Sequence, residues 1–173
     1  MVVKITREEL LARYAAGERN FSELDLSELD LSRANLSGAN FSRANLYRSV
    51  LSGANLSKAN FSRASLMDVS ADKGIFKNAD LRNADIERAI LTDAIFEGAN
   101  LCDASFADSN LSRANFEGAI LKNVCLLSAG LIDTNLRNAD IEGVTVNDET
   151  VIRRTKYWEA LNYESSGIDN FIE

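Results

Sequence analysis

The sequence predicts an all-β solenoid, in which a square coil of about 20 residues stacks on itself to give about six to seven coils. A large apolar residue returns at every fifth position from Phe21 to Val146, with Ala71 as the exception, and the residue two positions before it is small in most repeats. This period fits neither a helix nor simple strand alternation. Two inward-facing residues must therefore be followed by three that turn the chain, and four such turns close one coil.

The large apolar residues, taken one coil apart, fall into four columns, one for each side of the square. Phenylalanine is concentrated in two of these columns, Phe21, Phe41 and Phe61 in one and Phe76, Phe96 and Phe116 in the other. Aromatic rings at the spacing of neighbouring strands favour offset stacking. We therefore expect two ladders of stacked rings inside the solenoid.

The segment before the array, residues 1–20, predicts an N-terminal cap, because a repeat stack leaves a hydrophobic end open. A short helix is expected over residues 6–16. Thr6 and Glu9 have the spacing of a capping box at its start. The array itself is expected to span residues 21–146.

The segment after the array, residues 147–173, predicts a helical C-terminal cap. Tyr157, Trp158 and Leu161 would cover the last coil with an apolar face. A homodimer contact through the same aromatic face is the alternative. We favour a monomer that forms a single structural domain.

The best-preserved repeats lie in residues 32–46, which read S-R-A-N-L, S-G-A-N-F and S-R-A-N-L. This run resembles the pentapeptide repeat proteins, and the likeness extends from residue 21 to about residue 146. The resemblance implies a right-handed quadrilateral β-helix whose central residue and small residue face inward. The opening at residues 12–32, ARYAAGERNFSELDLSELDLS, resembles the start of cyanobacterial members.

The composition excludes several kinds of chemistry. The chain has no His and only two Cys, so it lacks His-based catalytic sites, His-ligated metal sites and a disulfide framework. Cys102 and Cys125 are expected to be reduced, because their offset is too wide for an unstrained disulfide. We expect no cofactor, no metal and no enzymatic activity. The N-terminus lacks the pattern of a signal peptide and no apolar run reaches about 18 residues, so we expect a cytoplasmic protein.

Charge is distributed unevenly along the array of a chain whose net charge is −7. Residues 31–67 contain five basic residues and no acidic one, whereas residues 68–148 contain seven basic and fourteen acidic residues. Arg43 and Arg63 fall in one column. Because the whole chain is acidic and Tyr47 is the one outward aromatic residue among the basic ones, nucleic acid is not expected as a partner.

The candidate partner surface consists of apolar residues at outward positions that are polar in the consensus repeats: Tyr47, Val50, Met67, Ile75, Ile90 and Ile95. Exposed apolar clusters can mark interaction surfaces. Packing between coils at the corners is the alternative interpretation, and we favour it for the apolar residues that replace Asn or Asp. The segment around Ala71 and Gly74 is the most irregular part of the array.

These observations favour a non-enzymatic protein-binding scaffold with an unknown protein partner. The resemblance adds two alternatives. Some pentapeptide repeat proteins imitate DNA by shape and negative charge and so bind topoisomerases such as gyrase, and some cyanobacterial members regulate cell differentiation through a protein partner. The acidic later coils fit DNA mimicry, whereas the basic early coils and the lack of a large inserted loop oppose it.

Overall fold

Helix α1 spans Arg7–Ala15, within residues 4–156, which are those that the computed structural model describes. Thr6 precedes it in extended conformation, and its Oγ1 accepts a hydrogen bond from the backbone N–H of Glu9 at 3.1 Å. A side-chain acceptor at this position satisfies one of the free N–H groups of the first turn. The chain leaves the helix through Gly17, whose φ of +96° suits glycine.

Helix α1 lies against the first coil. Leu10 is completely buried, and the Tyr14 hydroxyl donates a hydrogen bond to the carbonyl of Ser37 at 2.8 Å. The Arg7 guanidinium donates to the carbonyls of Asp30 and Ser32. In later coils, the carbonyls equivalent to those of Ser32 and Ser37 accept bonds from the preceding coil. The helix therefore supplies donors where no preceding coil exists.

The coils are joined by parallel bridges between single residues. Each bridge joins residues twenty apart, from Asn20–Asn40 to Cys125–Thr145. The N–H of Phe21 donates to the carbonyl of Asn40 at 2.7 Å, and the N–H of Asn40 donates to the carbonyl of Arg19 at 2.7 Å. This register confirms the predicted coil length and the predicted columns.

Each repeat ends in a four-residue turn. At Leu31, for example, the Ala34 N–H donates to the Leu31 carbonyl at 3.1 Å, and Arg33 between them has a φ of 57°. A positive φ at the third residue is the signature of a type II turn. The same position is left-handed in every repeat from Glu23 to Gly143. Most of these residues are not glycine, so each turn costs on the order of 1 kcal/mol in backbone strain, which the bonds between coils offset.

The central residues form one continuous core along the axis of the stack. Every central residue from Phe21 to Leu136 is buried. The stacked rings have centroid separations of 5.7 Å, 5.1 Å, 4.9 Å and 4.8 Å for Phe21–Phe41, Phe41–Phe61, Phe76–Phe96 and Phe96–Phe116. The two predicted ring ladders are confirmed. Each such buried side chain contributes about 2 kcal/mol before chain entropy is subtracted.

The Asn or Asp that precedes the central residue supports the turn from outside. The Asn40 Oδ1 accepts a hydrogen bond from the backbone N–H of Ser42 at 3.1 Å. The Asn40 Nδ2 donates to the Oδ1 of Asn20 on the preceding coil at 3.0 Å. Asn and Asp favour this local bond to a backbone N–H two residues later. The consensus residue at this position therefore stabilises both the turn and the stack.

The irregular segment of the array is organised around the Phe76 ring. Ala71 is completely buried, and Val69 is also buried two positions before it. A Cβ at Gly74 would lie 2.9 Å from both the Ala71 carbonyl oxygen and the Phe76 Cε2. Gly74 is therefore required by the close approach of the Ala71 carbonyl and the Phe76 ring.

The ladder of bridges continues beyond Val146, where the five-residue register of the sequence ends. The last two bridges join residues twenty-one apart, Gly130–Val151 and Asn135–Lys156. The turn after Val146 accommodates the extra residue. Thr150 is buried there, and its Oγ1 donates to the carbonyl of Leu126 at 2.9 Å. Ile152 then takes a buried central position.

Candidate functional site

The six candidate partner residues lie in three columns: Ile75 with Ile95, Tyr47 with Met67, and Val50 with Ile90. Ile75 and Ile95 bridge each other directly and are both half-buried, which fits packing between coils. Ser70 separates Val50 from Ile90 within their column. The structure therefore brings two of the three pairs onto adjacent coils and separates the third.

Three of the four exposed large apolar side chains within residues 4–156 lie at one corner of the coil, beside half-buried apolar residues, and we call it the apolar corner. One of its columns contains Tyr47, Met67 and Leu127, and the other, across the same turn, contains Val50, Ile90 and Val151. Ile90 is 51% exposed, the largest value among the exposed large apolar residues of the described chain, and Leu127 and Val151 are each 39% exposed. The corner runs along several coils at a spacing of ~4.8 Å.

Ile90 lacks a hydrogen bond that the consensus residue makes. The next residue in its column, Asn110, accepts a bond from the Ser112 N–H at 3.0 Å through its Oδ1. The Ile90 side chain has no acceptor for the equivalent N–H of Thr92. A bond of this kind contributes about 1 kcal/mol. An isoleucine that is half exposed and weakens its own turn fits a contact surface better than a structural role.

Outward charged residues form two ladders in which the sign alternates from coil to coil. One contains Lys73, Asp93, Arg113, Asp133 and Arg154, and the other contains Glu28, Arg48, Asp68, Arg88 and Asp108. Arg113 donates to both carboxylate oxygens of Asp93 at 2.7 Å and 2.8 Å. Asp68 lies between Arg88 at 2.8 Å and Arg48 at 3.9 Å. Opposite charges in neighbouring strand positions attract, so the ladders favour this stacking register.

The ladder contacts change the acidity of the aspartates. Hydrogen bonds from Arg113 lower the pKa of Asp93, and hydrogen bonds from Arg88 lower the pKa of Asp68. These pairs are at the surface, where solvent screens the charges, so each contributes little to stability. Asp85 differs, because burial raises its pKa.

A third corner breaks the alternation of sign. Its residues line an open cleft of ≈ 390 Å³, which we call the basic cleft: Ser42, Arg43, Ser62, Arg63, Arg82 and Asn83. Arg43 and Arg63 occupy successive coils of one column, with Arg82 beside them on the next coil. Arg43 pairs with Glu23 at 3.1 Å, and Arg82 pairs with Asp80 at 2.7 Å. Three guanidinium groups therefore surround one concave surface.

The remaining candidate groups are simpler. Cys102 and Cys125 are both free, half-buried thiols. Residues 4–156 contain no group of three or more His, Cys, Asp or Glu side chains that could hold a metal ion. Nor does that part of the chain contain a helix with the length and hydropathy of a membrane span. The predicted C-terminal contact residues Tyr157, Trp158 and Leu161 lie outside the described residues.

The repeats match a known sequence family along most of the array. The family model described as pentapeptide repeats matches residues 20–53, 44–83, 76–108, 84–123 and 109–148, with 8 copies. The chain belongs to the pentapeptide repeat family. Its fold is therefore the right-handed quadrilateral β-helix of that family, in agreement with the parallel register of the coils.

Solved pentapeptide repeat structures resemble the chain. HetL, a pentapeptide repeat protein involved in heterocyst differentiation regulation from the cyanobacterium Nostoc sp. strain PCC 7120, is 23% identical with a TM-score of 0.30, and the match covers 84% of this chain and 94% of HetL. A second pentapeptide repeat protein from Nostoc PCC 7120 is 25% identical with a TM-score of 0.43, covering 82% of this chain and 96% of that one. QnrB1, a plasmid-mediated fluoroquinolone resistance protein, is 22% identical with a TM-score of 0.30, covering 76% and 86%. No curated protein matches the chain.

The pentapeptide repeat register explains which surface residues the sequence reasoning missed. Arg82 directly follows a central residue, whereas Arg43 and Arg63 stand one position later in their repeats, so a comparison of single columns does not connect them. Leu127 is an apolar residue in the column of Tyr47, so the five-residue register of the sequence already places it at this corner. The five-residue register did not predict the column of Val151, because the last turn contains one extra residue.

Proposed function

We propose that this pentapeptide repeat protein is a non-enzymatic scaffold that binds a protein partner through the apolar corner. The observation that carries the proposal is the exposure of Ile90, 51%, on a corner that also presents Leu127 and Val151. Apolar patches rimmed by polar residues are typical of interaction surfaces. The stacked coils hold these residues in place, so a partner can contact them without a cost for ordering a loop.

The chemistry of the ladder carboxylates supports a non-enzymatic role. Pentapeptide repeat proteins are generally structural or binding proteins. A general acid at neutral pH needs a raised pKa in an apolar site. The ladder aspartates are shifted in the opposite direction, because hydrogen bonds from guanidinium groups lower the pKa of Asp93 and of Asp133.

The charge pattern speaks against DNA mimicry as the function. A mimic of the DNA backbone needs a continuous row of negative charge. The ladders through Asp93 and Asp68 instead alternate in sign, and the basic cleft adds positive charge at a further corner. We therefore place the protein-binding scaffold before a gyrase-binding function.

The finer architecture is part of the same proposal. We propose that residues 1–20 cap the first coil and that residues 147–173 complete the C-terminal end of an array of about six to seven coils. The donors that α1 supplies to the carbonyls of Ser32 and Ser37 support the N-terminal cap. We further propose that the protein is a cytoplasmic monomer.

A pulldown with matched variants tests the scaffold proposal. The tagged wild type, Ile90→Asn and Ile120→Asn are incubated with an extract of the source cell. Ile120 occupies the same repeat position as Ile90 in a different column and is 37% exposed. Asn is the consensus residue there, so both variants should fold. We expect a bound protein that Ile90→Asn loses and Ile120→Asn keeps. Equal recovery by all three proteins, or equal loss by both variants, contradicts the proposal.

A supercoiling assay separates the scaffold from the gyrase alternative. Gyrase activity is measured with increasing amounts of the wild-type protein. We expect no inhibition at a large molar excess. Inhibition near equimolar protein would instead favour DNA mimicry.

A further inference from the structure

The basic cleft lacks the alternation of charge that the two ladders show. In each ladder a residue of opposite charge lies between like charges, as Asp68 does between Arg48 and Arg88. Arg43 and Arg63 are direct neighbours across coils, at a backbone spacing of ~4.8 Å. Like charges directly opposite each other destabilise a sheet. A bound anion would remove this repulsion.

The groups of the basic cleft have unused hydrogen-bond donors. A guanidinium carries five N–H groups. Arg82 uses its Nε and Nη2 on Asp80 at 2.9 Å and 2.7 Å, and Arg43 uses its Nη1 on Glu23 at 3.1 Å. Within residues 4–156, Arg63 makes no side-chain hydrogen bond or ion pair. Most of the donors of the three arginines therefore remain available.

Two serine hydroxyls add neutral donors to the cleft. Ser42 and Ser62 occupy the same position on successive coils, and both line the cleft. Their backbone N–H groups donate to Asn40 and Asn60 at 3.1 Å and 2.9 Å. Neither hydroxyl has a hydrogen-bond partner in the part of the chain that the structure describes. The cleft thus combines charged and neutral donors that approach from two coils.

We propose that the basic cleft binds a phosphate monoester group. A carboxylate is satisfied by one bidentate guanidinium, as Asp93 is by Arg113. Three guanidinium groups and two hydroxyls exceed that need. A phosphate monoester carries a charge of about −1.5 to −2 and three acceptor oxygens, so it can accept bonds from the Arg63 guanidinium, from the remaining donors of Arg43 and Arg82, and from both hydroxyls.

The ends of the basic column argue for a compact anion rather than a nucleic acid. Glu23 precedes Arg43 in the column, and Asn83 and then Asp103 follow Arg63. Single-stranded nucleic acid needs a basic groove that tracks the backbone over several nucleotides, with aromatic side chains for stacking. The basic cleft is bounded by acidic residues at both ends of its column, so it suits one phosphoryl group.

Titration followed by amide NMR tests this site directly. The probes are inorganic phosphate and a short peptide that contains phosphoserine, each added to the wild type, Arg63→Gln and Arg33→Gln. Arg33 is the matched control, because it has the same repeat position and a similar φ of 57° but lies in another column. We expect saturable shifts of the Ser42 and Ser62 amides in the wild type. Arg63→Gln should weaken binding about tenfold or more, and Arg33→Gln less than about twofold.

The two probes identify the source of the phosphoryl group. Tighter binding of the phosphopeptide points to a phosphorylated partner, and equal affinity points to a free phosphate ester; both results support the site. Shifts that do not saturate, or an equal loss in both arginine variants, overturn it. So does equally tight binding of the same peptide with aspartate in place of phosphoserine, or tighter binding of a single-stranded oligonucleotide. The phosphate titration needs no protein partner, so the inference stands or falls independently of the scaffold proposal.

Discussion

Replacement of Ser49 by alanine should stabilise the protein. The Ser49 side chain is completely buried, and its Oγ has no hydrogen-bond partner among the described residues. Alanine occupies this inward position in most repeats. A buried hydroxyl without a partner costs about 1–3 kcal/mol. Because the substitution also removes a few dispersion contacts, we expect a net gain of about 1 kcal/mol in the free energy of unfolding.

Ser109 is a matched control, because it occupies the same column three coils later. Its Oγ donates to the carbonyl of Ile86 at 2.7 Å and accepts from the N–H of Ala89 at 3.0 Å, so it is inserted into the turn of the preceding coil. In the turn beneath Ser49, the Leu29 N–H donates directly to the Leu26 carbonyl. The Ser49 hydroxyl is therefore not inserted into that turn, and its Oγ has no partner there. Ser109→Ala should therefore lower the free energy of unfolding by about 1–2 kcal/mol.

Urea denaturation followed by circular dichroism measures both serine variants. We expect Ser49→Ala to raise the midpoint without changing the slope, and a gain of about 1 kcal/mol corresponds to a Tm increase of roughly 2–4 °C. Ser109→Ala should shift both quantities in the opposite direction. A loss of stability in Ser49→Ala, or no change in Ser109→Ala, would refute the assignment of the two hydroxyls.

Three further predictions concern packing and pH. Gly74→Ala should lower the free energy of unfolding by about 1–3 kcal/mol in urea denaturation, because its Cβ would lie 2.9 Å from both the Ala71 carbonyl oxygen and the Phe76 ring. An unchanged free energy of unfolding contradicts this. Hydrogen bonds from Arg113 lower the pKa of Asp93, so this stabilisation is present above the ordinary aspartate pKa and lost as the pH falls. The Tm advantage of the wild type over Asp93→Asn should therefore shrink below about pH 4, and a constant difference contradicts this. Burial raises the pKa of Asp85, so its ionisation destabilises the fold as the pH rises. Asp85→Asn should raise the Tm at about pH 7 but not below about pH 4, and an equal Tm at neutral pH is the contrary result.

The core could be predicted from the sequence because its rule is local and repeated. Each central residue faces inward at every fifth position, and the length of the coil then places like residues above one another. The stacking of Phe41 on Phe61 follows from these two facts alone. The start of α1 could also be predicted from the sequence, because Thr6 and Glu9 have the spacing of a capping box.

The turns and the surface sites depend on longer-range effects. A left-handed turn residue is normally signalled by Gly or Asn, yet Arg33 and Arg43 adopt this conformation because the bonds between coils impose it. The burial of Ile152 could not be predicted from the five-residue register, because one extra residue shifts that register after Val146. The basic cleft joins Arg43 and Arg82, which belong to different positions of the repeat, so it emerges only when the coil is built in three dimensions.

The basic cleft and the apolar corner occupy successive turns of the coil. Arg43 and Arg48 mark these turns and are five residues apart, so at most about 18 Å of chain separates them. A single partner with a phosphorylated residue beside an apolar segment can therefore cover both. We expect the protein that Ile90→Asn loses in the pulldown to be lost also with Arg63→Gln and after phosphatase treatment of the extract, and to be kept by Arg33→Gln. If it survives both treatments, the two corners bind different ligands.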